Sequence, residues 1–231
     1  MKIYAISDLH LSETTDKPMN IFGPRWEGHF DIIRNDWNSK VTDEDIVLLS
    51  GDLSWAMKLE EAIPDIALIN ELPGRKVIIK GNHDYWWSSG SKVRGILYPN
   101  MFAISNDAIR IDNVILCGTR GWLINDNNST PSDKKIYDRE IIRLKLSLDA
   151  MAKIRREDDI VIGMMHFPPF NSSLQNTELT DLFNEYNITK VVYGHLHGPK
   201  SRAEKLVNKG NVNYYLTSCD LVDNKLILIN N

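Results

Sequence analysis

Eight short runs of apolar, largely β-branched residues punctuate this chain, and they constrain its fold more than any other feature. Residues 3–6, 46–49, 77–79, 114–116, 160–162 and 190–193 are apolar almost throughout, the pattern of strands buried on both faces rather than half exposed. Two further runs, 212–216 and 226–229, flank the turn signal Asp223-Asn224 and predict a terminal hairpin. Helical patterns lie between the runs, at 29–39, 59–72, about 133–155 and 177–186. Pro64 is expected to limit or kink the second, because proline cannot donate to the preceding turn. In the third, Tyr137, Ile141, Leu144, Leu148 and Met151 recur at steps of four and three, a single apolar stripe for core packing. Ser132 or Asp133 would cap its start and Arg155-Arg156 suit its end, while Thr177 would cap the last helix.

Strand–helix alternation predicts an α/β fold with helices on both sides of the sheet. Strand-like segments at 102–105 and 109–111, with the closing pair, point to mixed rather than purely parallel sheets. At 231 residues and 42% apolar the chain is expected to form one domain over residues 1–231. The loops at 13–28 and 119–132 are the long polar interruptions. A formal charge of −4 without a Lys/Arg block lacks the electrostatic footprint of a nucleic-acid binder. No run approaches the length of a membrane span and no export signal is visible, so a cytoplasmic location is the expectation. Cys117 and Cys219 stand apart in apolar surroundings and read as buried reduced thiols, not a thiolate metal cluster.

Five of the six histidines share one context. His10, His83, His166, His195 and His197 each follow an apolar run by one to four residues, in Asp8-Leu9-His10, Gly81-Asn82-His83-Asp84, Met165-His166 and Gly194-His195-Leu196-His197; the run 46–49 ends in Ser50-Gly51-Asp52. The carboxyl ends of strands in open α/β sheets converge on one crevice. Each motif alone reads as an ordinary turn. Together they bring two aspartates, an asparagine and five histidines to one rim.

Imidazole nitrogens with carboxylate and amide oxygens suit Mn, Fe, Zn, Co or Ni. Asp8, His10, Asp52, Asn82, His166, His195 and His197 are too many donors for one ion that keeps a place for substrate. They suit two divalent ions sharing a carboxylate, the arrangement that clamps both oxygens of an in-line phosphoryl displacement. Two such ions outweigh Asp8, Asp52 and a bridging hydroxide nucleophile, leaving a net positive site for a phosphate ester. His83 is the candidate general acid, because its neighbour Asn82 takes the ligand position. Asp84 would either orient His83 or stabilise the turn.

The ordered set Asp8-x-His10, Gly51-Asp52, Gly81-Asn82-His83-Asp84, His166 and Gly194-His195-x-His197 resembles the calcineurin-like metallophosphoesterase superfamily, most closely its small bacterial phosphodiesterase-like members. The resemblance spans residues 8 to 197. It implies a four-layer α/β/β/α sandwich, two mixed β-sheets flanked by helices. It also implies one metal held by Asp8, His10, Asp52 and His197 and another by Asp52, Asn82, His166 and His195, with Asp52 bridging and His83 as acid. Two departures count against a protein phosphatase. Gly51-Asp52 continues as Leu53-Ser54-Trp55-Ala56, without the Asp-Arg-Gly that protein phosphatases carry shortly after it, and Asp84 stands where glutamate is usual. The expected activity is hydrolysis of a small phosphodiester or phosphomonoester. The alternatives are a pyrophosphohydrolase of a nucleotide or lipid precursor and a non-catalytic protein-binding scaffold on the same fold. The oligomeric state is left open.

Arg120, between glycines after a strand, would clamp a phosphate oxygen or serve as a plain loop arginine. Arg25, in Gly23-Pro24-Arg25-Trp26, is a weaker candidate of the same kind. Trp26, Trp55, Trp86, Trp87 and Trp122 sit beside the rim loops. Pinning those loops to the core is favoured over an aromatic wall for substrate. His29 is expected only to begin a helix.

Overall fold

The computed structural model describes residues 1–124, 129–198, 201 and 203–231; residues 125–128, within the polar loop expected at 119–132, lie outside the described residues. In the first sheet β1 (Ile3–Ile6), β2 (Ile46–Leu49), β3 (Arg75–Ile78) and β4 (Met101–Ala103) run parallel. The second sheet comprises β5 (Ala108–Ile111), β6 (Val114–Thr119), β7 (Ile160–Met165), β8 (Lys190–Tyr193), β9 (Leu206–Lys209) and β10 (Val212–Leu216), in the order β5-β6-β7-β8-β10-β9. Its central strands β6, β7, β8 and β10 are parallel, and both edge strands are antiparallel. The last strand, β11 (Ile227–Asn230), returns to the first sheet and pairs antiparallel with β1.

The terminal hairpin is therefore not formed: β10 and β11 belong to different sheets. The hairpin partner of β10 is β9, whose Leu-Val-Asn-Lys buries Val207 alone. An edge strand needs one inward side chain here, too weak a pattern to stand out in sequence. The segment after β10 crosses between the sheets through a 3₁₀ turn at Cys219–Leu221.

Three apolar layers account for the runs of consecutive buried residues. Successive strand side chains point to opposite faces. Ile3, Ala5, Ile46, Leu48, Val77, Leu116, Ile162 and Val192 pack between the sheets. The alternate residues Tyr4, Ile6, Val47 and Leu49 face α1 (His29–Lys40) and α2 (Ile63–Asn70) through Ile33, Trp37, Ile66 and Ile69. A short helix, α3 (Gly90–Arg94), adds Val93 to the same layer. On the far side Ile115, Val161, Val191 and Tyr193 meet α4 (Pro131–Ile154) and α5 (Glu178–Glu185) through Tyr137, Leu144, Leu148, Met151, Leu179 and Phe183. The result is the α/β/β/α sandwich.

Helix ends refine the sequence expectations. Pro64 lies in the first turn of α2, where no N–H is needed, so it starts the helix instead of kinking it. The cap of α4 is Thr130, not Ser132 or Asp133; Asp133 reciprocates from the third helical position in a capping box. Thr177 caps α5 as expected.

Candidate metal centre

The carboxyl ends of β1, β2 and β3 in one sheet and of β7 and β8 in the other open onto the same rim. Backbone hydrogen bonds tie the two sheets together there, Ser7 N to Thr217 O (2.9 Å) and Cys219 N to Ser7 O (3.1 Å), while Thr217 N to Tyr193 O (2.7 Å) extends the β8–β10 pairing. Asp8, His10, Asp52 and His195 all have positive φ, between 46° and 70°. Such a cluster of left-handed non-glycine residues is held only where surrounding structure enforces it, and it concentrates at functional sites. The glycines of the motifs permit the close approach. A Cβ on Gly81 would lie 2.1 Å from Asp52 Oδ1, and one on Gly194 would lie 2.5 Å from Asp8 Oδ2.

All eight predicted residues meet in this crevice. His197 Nε2 is 3.2 Å from Asp8 Oδ1, and His166 Nδ1 is 4.0 Å from the same oxygen. Asp52 Oδ2 is approached from two sides, by His10 Nε2 at 3.8 Å and by His166 Nε2 at 3.4 Å. Asn82 Oδ1 accepts from His166 Nε2 (2.7 Å) and His195 Nδ1 (2.8 Å). Ligand atoms of Asp8, His10 and His197 lie within 4.8 Å of one another, as do those of Asp8, Asp52 and His166. His83 stands beside them. Its backbone N–H donates to Asp52 Oδ1 (2.7 Å), and its half-buried ring lies 5.6 Å from that of His10 and 4.6 Å from that of Trp55.

The electrostatics call for positive charge. Asp8 is fully buried, which raises its carboxyl, yet His197, His166 and His10 outweigh that and hold it far below the usual carboxylate range. Burial likewise opposes protonation of His166 and His197, but the facing carboxylates win and lift them to about 9 and about 10. Burial drives His10 and His195 down to about 4. Two buried carboxylates thus draw protons onto their neighbours, supplying the charge that divalent cations would supply in their place. His10 Nδ1 is buried without a hydrogen-bond partner. The nitrogen and oxygen donors fit first-row divalent ions, and the Cys219 thiol instead packs 3.1 Å from Asp8 O, behind the crevice.

Several supporting residues escaped sequence reasoning. Asp220, 1% exposed, accepts from His197 Nδ1 (2.8 Å) and Gly198 N (2.9 Å). It leaves Nε2 of His197 facing Asp8, as Ser50 O does for His166 by accepting from its Nδ1 at 2.9 Å. Both stand within four residues of an apolar run, but Ser50 acts through a backbone carbonyl, which leaves no sequence signal, and Asp220 lies beside no histidine motif. Asp84 does not reach His83. Burial raises its carboxyl to about 6, and it accepts from the backbone of Gly81, Asp52, Leu53 and Ser54 and from Trp86 Nε1. It binds the β2 and β3 loops together. The ring partner of His83 is Tyr85, whose hydroxyl lies 3.5 Å from Nδ1. His29 does more than open α1: its ring nitrogens lie 2.7 Å from Leu9 O and 3.0 Å from Trp26 O, pinning the Asp8–His10 loop.

The tryptophans divide between the two readings. Trp86 and Trp87 are buried in the outer core. Trp55 stacks on His10 at 4.8 Å while Trp26 meets its edge at 5.7 Å, so these two fix a predicted ligand. Trp122 is partly buried against Phe167, which in turn packs 4.0 Å from the His195 ring. Arg120 lies over Trp122 and 3.4 Å from Glu140, and its carbonyl accepts the N–H groups of His166 and Phe167. Exposed Arg25 donates to Asp220 O at 2.9 Å.

Comparison with known proteins agrees with this picture. The family model for calcineurin-like phosphoesterases matches residues 1–199. An uncharacterized protein of Methanocaldococcus jannaschii, MJ1445, is 30% identical over 178 residues, covering 69% of this chain and 94% of its own. Among solved structures, TT1561 of Thermus thermophilus superposes with a TM-score of 0.60 over 99% of this chain and 97% of its own. AQ665 of Aquifex aeolicus, a protein of unknown function, does so at 0.51 over 98% and 95%. Both are 14% identical and share the fold. Among the described residues no helix is long and apolar enough to cross a membrane.

Proposed function

Because the chain belongs to the calcineurin-like phosphoesterase family, we propose that this metal-dependent phosphoesterase hydrolyses a small phosphate ester at a pair of divalent ions. Asp8, His10, Asp52 and His197 hold one ion, and Asp52, Asn82, His166 and His195 hold the other. The observation that carries this reading is the position of Asp52 Oδ2, reached by His10 Nε2 on one side and His166 Nε2 on the other. Two such ions supply Lewis-acid polarisation of phosphoryl oxygens and activation of water.

The protein's own groups do the rest. Ser50 O and Asp220 fix the rings of His166 and His197, and Asp84 holds the loops carrying Asp52 and Asn82 in register. His83, outside the ligand set and partly open to solvent, gives its proton to the leaving oxygen. Burial lowers its pKa below that of a free imidazole, which makes the protonated ring a stronger acid while reducing the fraction protonated at neutral pH. A cavity of about 370 Å³ lined by Trp122, Phe167, Phe170, His195 and Leu196 adjoins the centre. Its aromatic walls suit the organic part of a small ester.

Assaying the Mn²⁺-loaded protein with bis(p-nitrophenyl) phosphate, p-nitrophenyl phosphate and a nucleoside diphosphate side by side ranks diester, monoester and pyrophosphate bonds. Asp52→Asn should lose more turnover than the roughly 100-fold cost of an outer-shell change. Wild-type rates in that variant, with metal content unchanged, would refute the assignment.

A further inference from the structure

A second cavity, of about 390 Å³, lies beside the candidate centre and is built for negative charge. Lys80, Arg120 and Arg143 line it with a single carboxylate, Glu140, an excess of two positive charges. Glu140 is already committed: it is 1% exposed at the side chain and accepts from Thr119 Oγ1 (2.5 Å), Gly121 N (3.1 Å), Arg143 (2.6 Å) and Arg120 (3.4 Å). It cannot neutralise all three cations. Arg120 Nε is buried without a hydrogen-bond partner. The one hydrogen bond Lys80 Nζ makes among the described residues is a long one, 3.3 Å to Trp87 O. Donors remain free on at least two of the three groups, in a recess that also presents Ser89 and Asn106. Buried donors without acceptors are costly and call for a partner such as water or a bound anion.

Two walls of this recess, Lys80 after β3 and Arg120 after β6, adjoin the loops that carry predicted metal ligands. Lys80 directly precedes Gly81-Asn82. Arg120 O accepts the N–H groups of His166 (3.1 Å) and Phe167 (2.9 Å), and its guanidinium lies within electrostatic range of Asp52. Through these contacts the recess is tied to the loops bearing Asn82 and His166. Guanidinium forks flanked by an ammonium match the oxygens of phosphate or carboxylate.

Resting on the phosphoesterase reading above, we propose that the Lys80–Arg120–Arg143 recess binds a second phosphate or carboxylate of the substrate, making the preferred substrate a phosphate ester with two anionic groups. The ester to be cleaved lies at the centre and the other anion is held in the recess.

The test compares paired substrates in the full-length, Mn²⁺-loaded protein. Propane-1,3-diol bisphosphate is set against propyl phosphate, and a hexose 1,6-bisphosphate against the hexose 6-phosphate, with phosphate release as the readout. The wild type should show the higher kcat/KM for at least one bisphosphate of these pairs. Arg143→Glu should reduce that preference about tenfold, the size of one charge-assisted contact, and chiefly through KM. Arg143 is half exposed, and its thermal midpoint reports whether the variant folds. Lys80→Gln is the second variant should Arg143→Glu not fold. Turnover of single phosphates with no bisphosphate preference, or a preference that survives both variants, overturns the inference while leaving the phosphoesterase reading intact. No turnover of any ester, including bis(p-nitrophenyl) phosphate, overturns both.

Discussion

Removing the Asp220 carboxylate takes away two hydrogen bonds at once, those from His197 Nδ1 at 2.8 Å and from Gly198 N at 2.9 Å. In Asp220→Ala the His197 ring loses the acceptor that keeps its proton on Nδ1 and turns Nε2 toward Asp8 Oδ1, 3.2 Å away. Outer-shell carboxylates of this kind are worth about 10–100-fold in metal affinity, or ~1.4–2.8 kcal/mol at 1.4 kcal/mol per decade. The Gly198 N–H, left without its acceptor, adds a folding cost of ~1–3 kcal/mol. Asp220→Asn should fall between the two, because an amide oxygen can serve one of the two donors while its NH₂ faces the other. Calorimetric titration of Mn²⁺ into chelator-stripped protein gives the affinity, and turnover of bis(p-nitrophenyl) phosphate across a Mn²⁺ series separates lost metal from lost chemistry. Raising Mn²⁺ should restore most of the rate. Affinity in Asp220→Ala within about twofold of wild type would refute the positioning role, since the outer-shell effect is at least about tenfold. Asp220 lies beyond residues 1–199, the part matched by the family, so the experiment also tests whether this chain completes its centre from outside that region.

Two further outcomes follow from the same geometry. His83→Asn should lower kcat by about 10²–10⁴ and leave Mn²⁺ affinity unchanged; a comparable loss of affinity would make His83 a ligand rather than an acid. Metal uptake should release protons. His166 and His197, raised to about 9 and about 10 by their carboxylate partners, are protonated at pH 7 in the metal-free protein, and both must become neutral to ligate. About two protons from these rings, and up to one more where a metal-bound water ionises to the hydroxide nucleophile, should therefore leave on loading at pH 7, and apparent affinity should rise with pH up to roughly 9–10. Mn²⁺ titrations in buffers of different ionisation enthalpy count those protons, and a count near zero would contradict the assigned ligands.

Much of this protein is readable in one dimension because burial on both faces of a strand leaves no polar position. That is why the runs ending at Ile6, Leu49 and Tyr193 in sequence end at the same residues in the fold. The candidate site was legible for a related reason. Its side chains sit within a few residues of strand ends, and strand ends are where glycine, aspartate, asparagine and histidine stand out against apolar neighbours. Where the pattern was weak, tertiary structure decided. The edge strand β9 buries only Val207, so the partner of β10 was missed, and β11 joined the other sheet because the first sheet offered β1 an open edge.

By itself, then, the order of residues determined the strand–helix alternation and the identities of the eight polar groups at the rim, since both depend on local pattern. Only the three-dimensional packing determined that β10 and β11 part to different sheets, that Asp84 braces two loops rather than His83, that Asp220 orients His197 from 23 residues away, and that Lys80, Arg120 and Arg143 share one recess. Hydrogen bonds and charge pairs act through space over a few ångströms, and residues distant along the chain acquire them only when the fold closes.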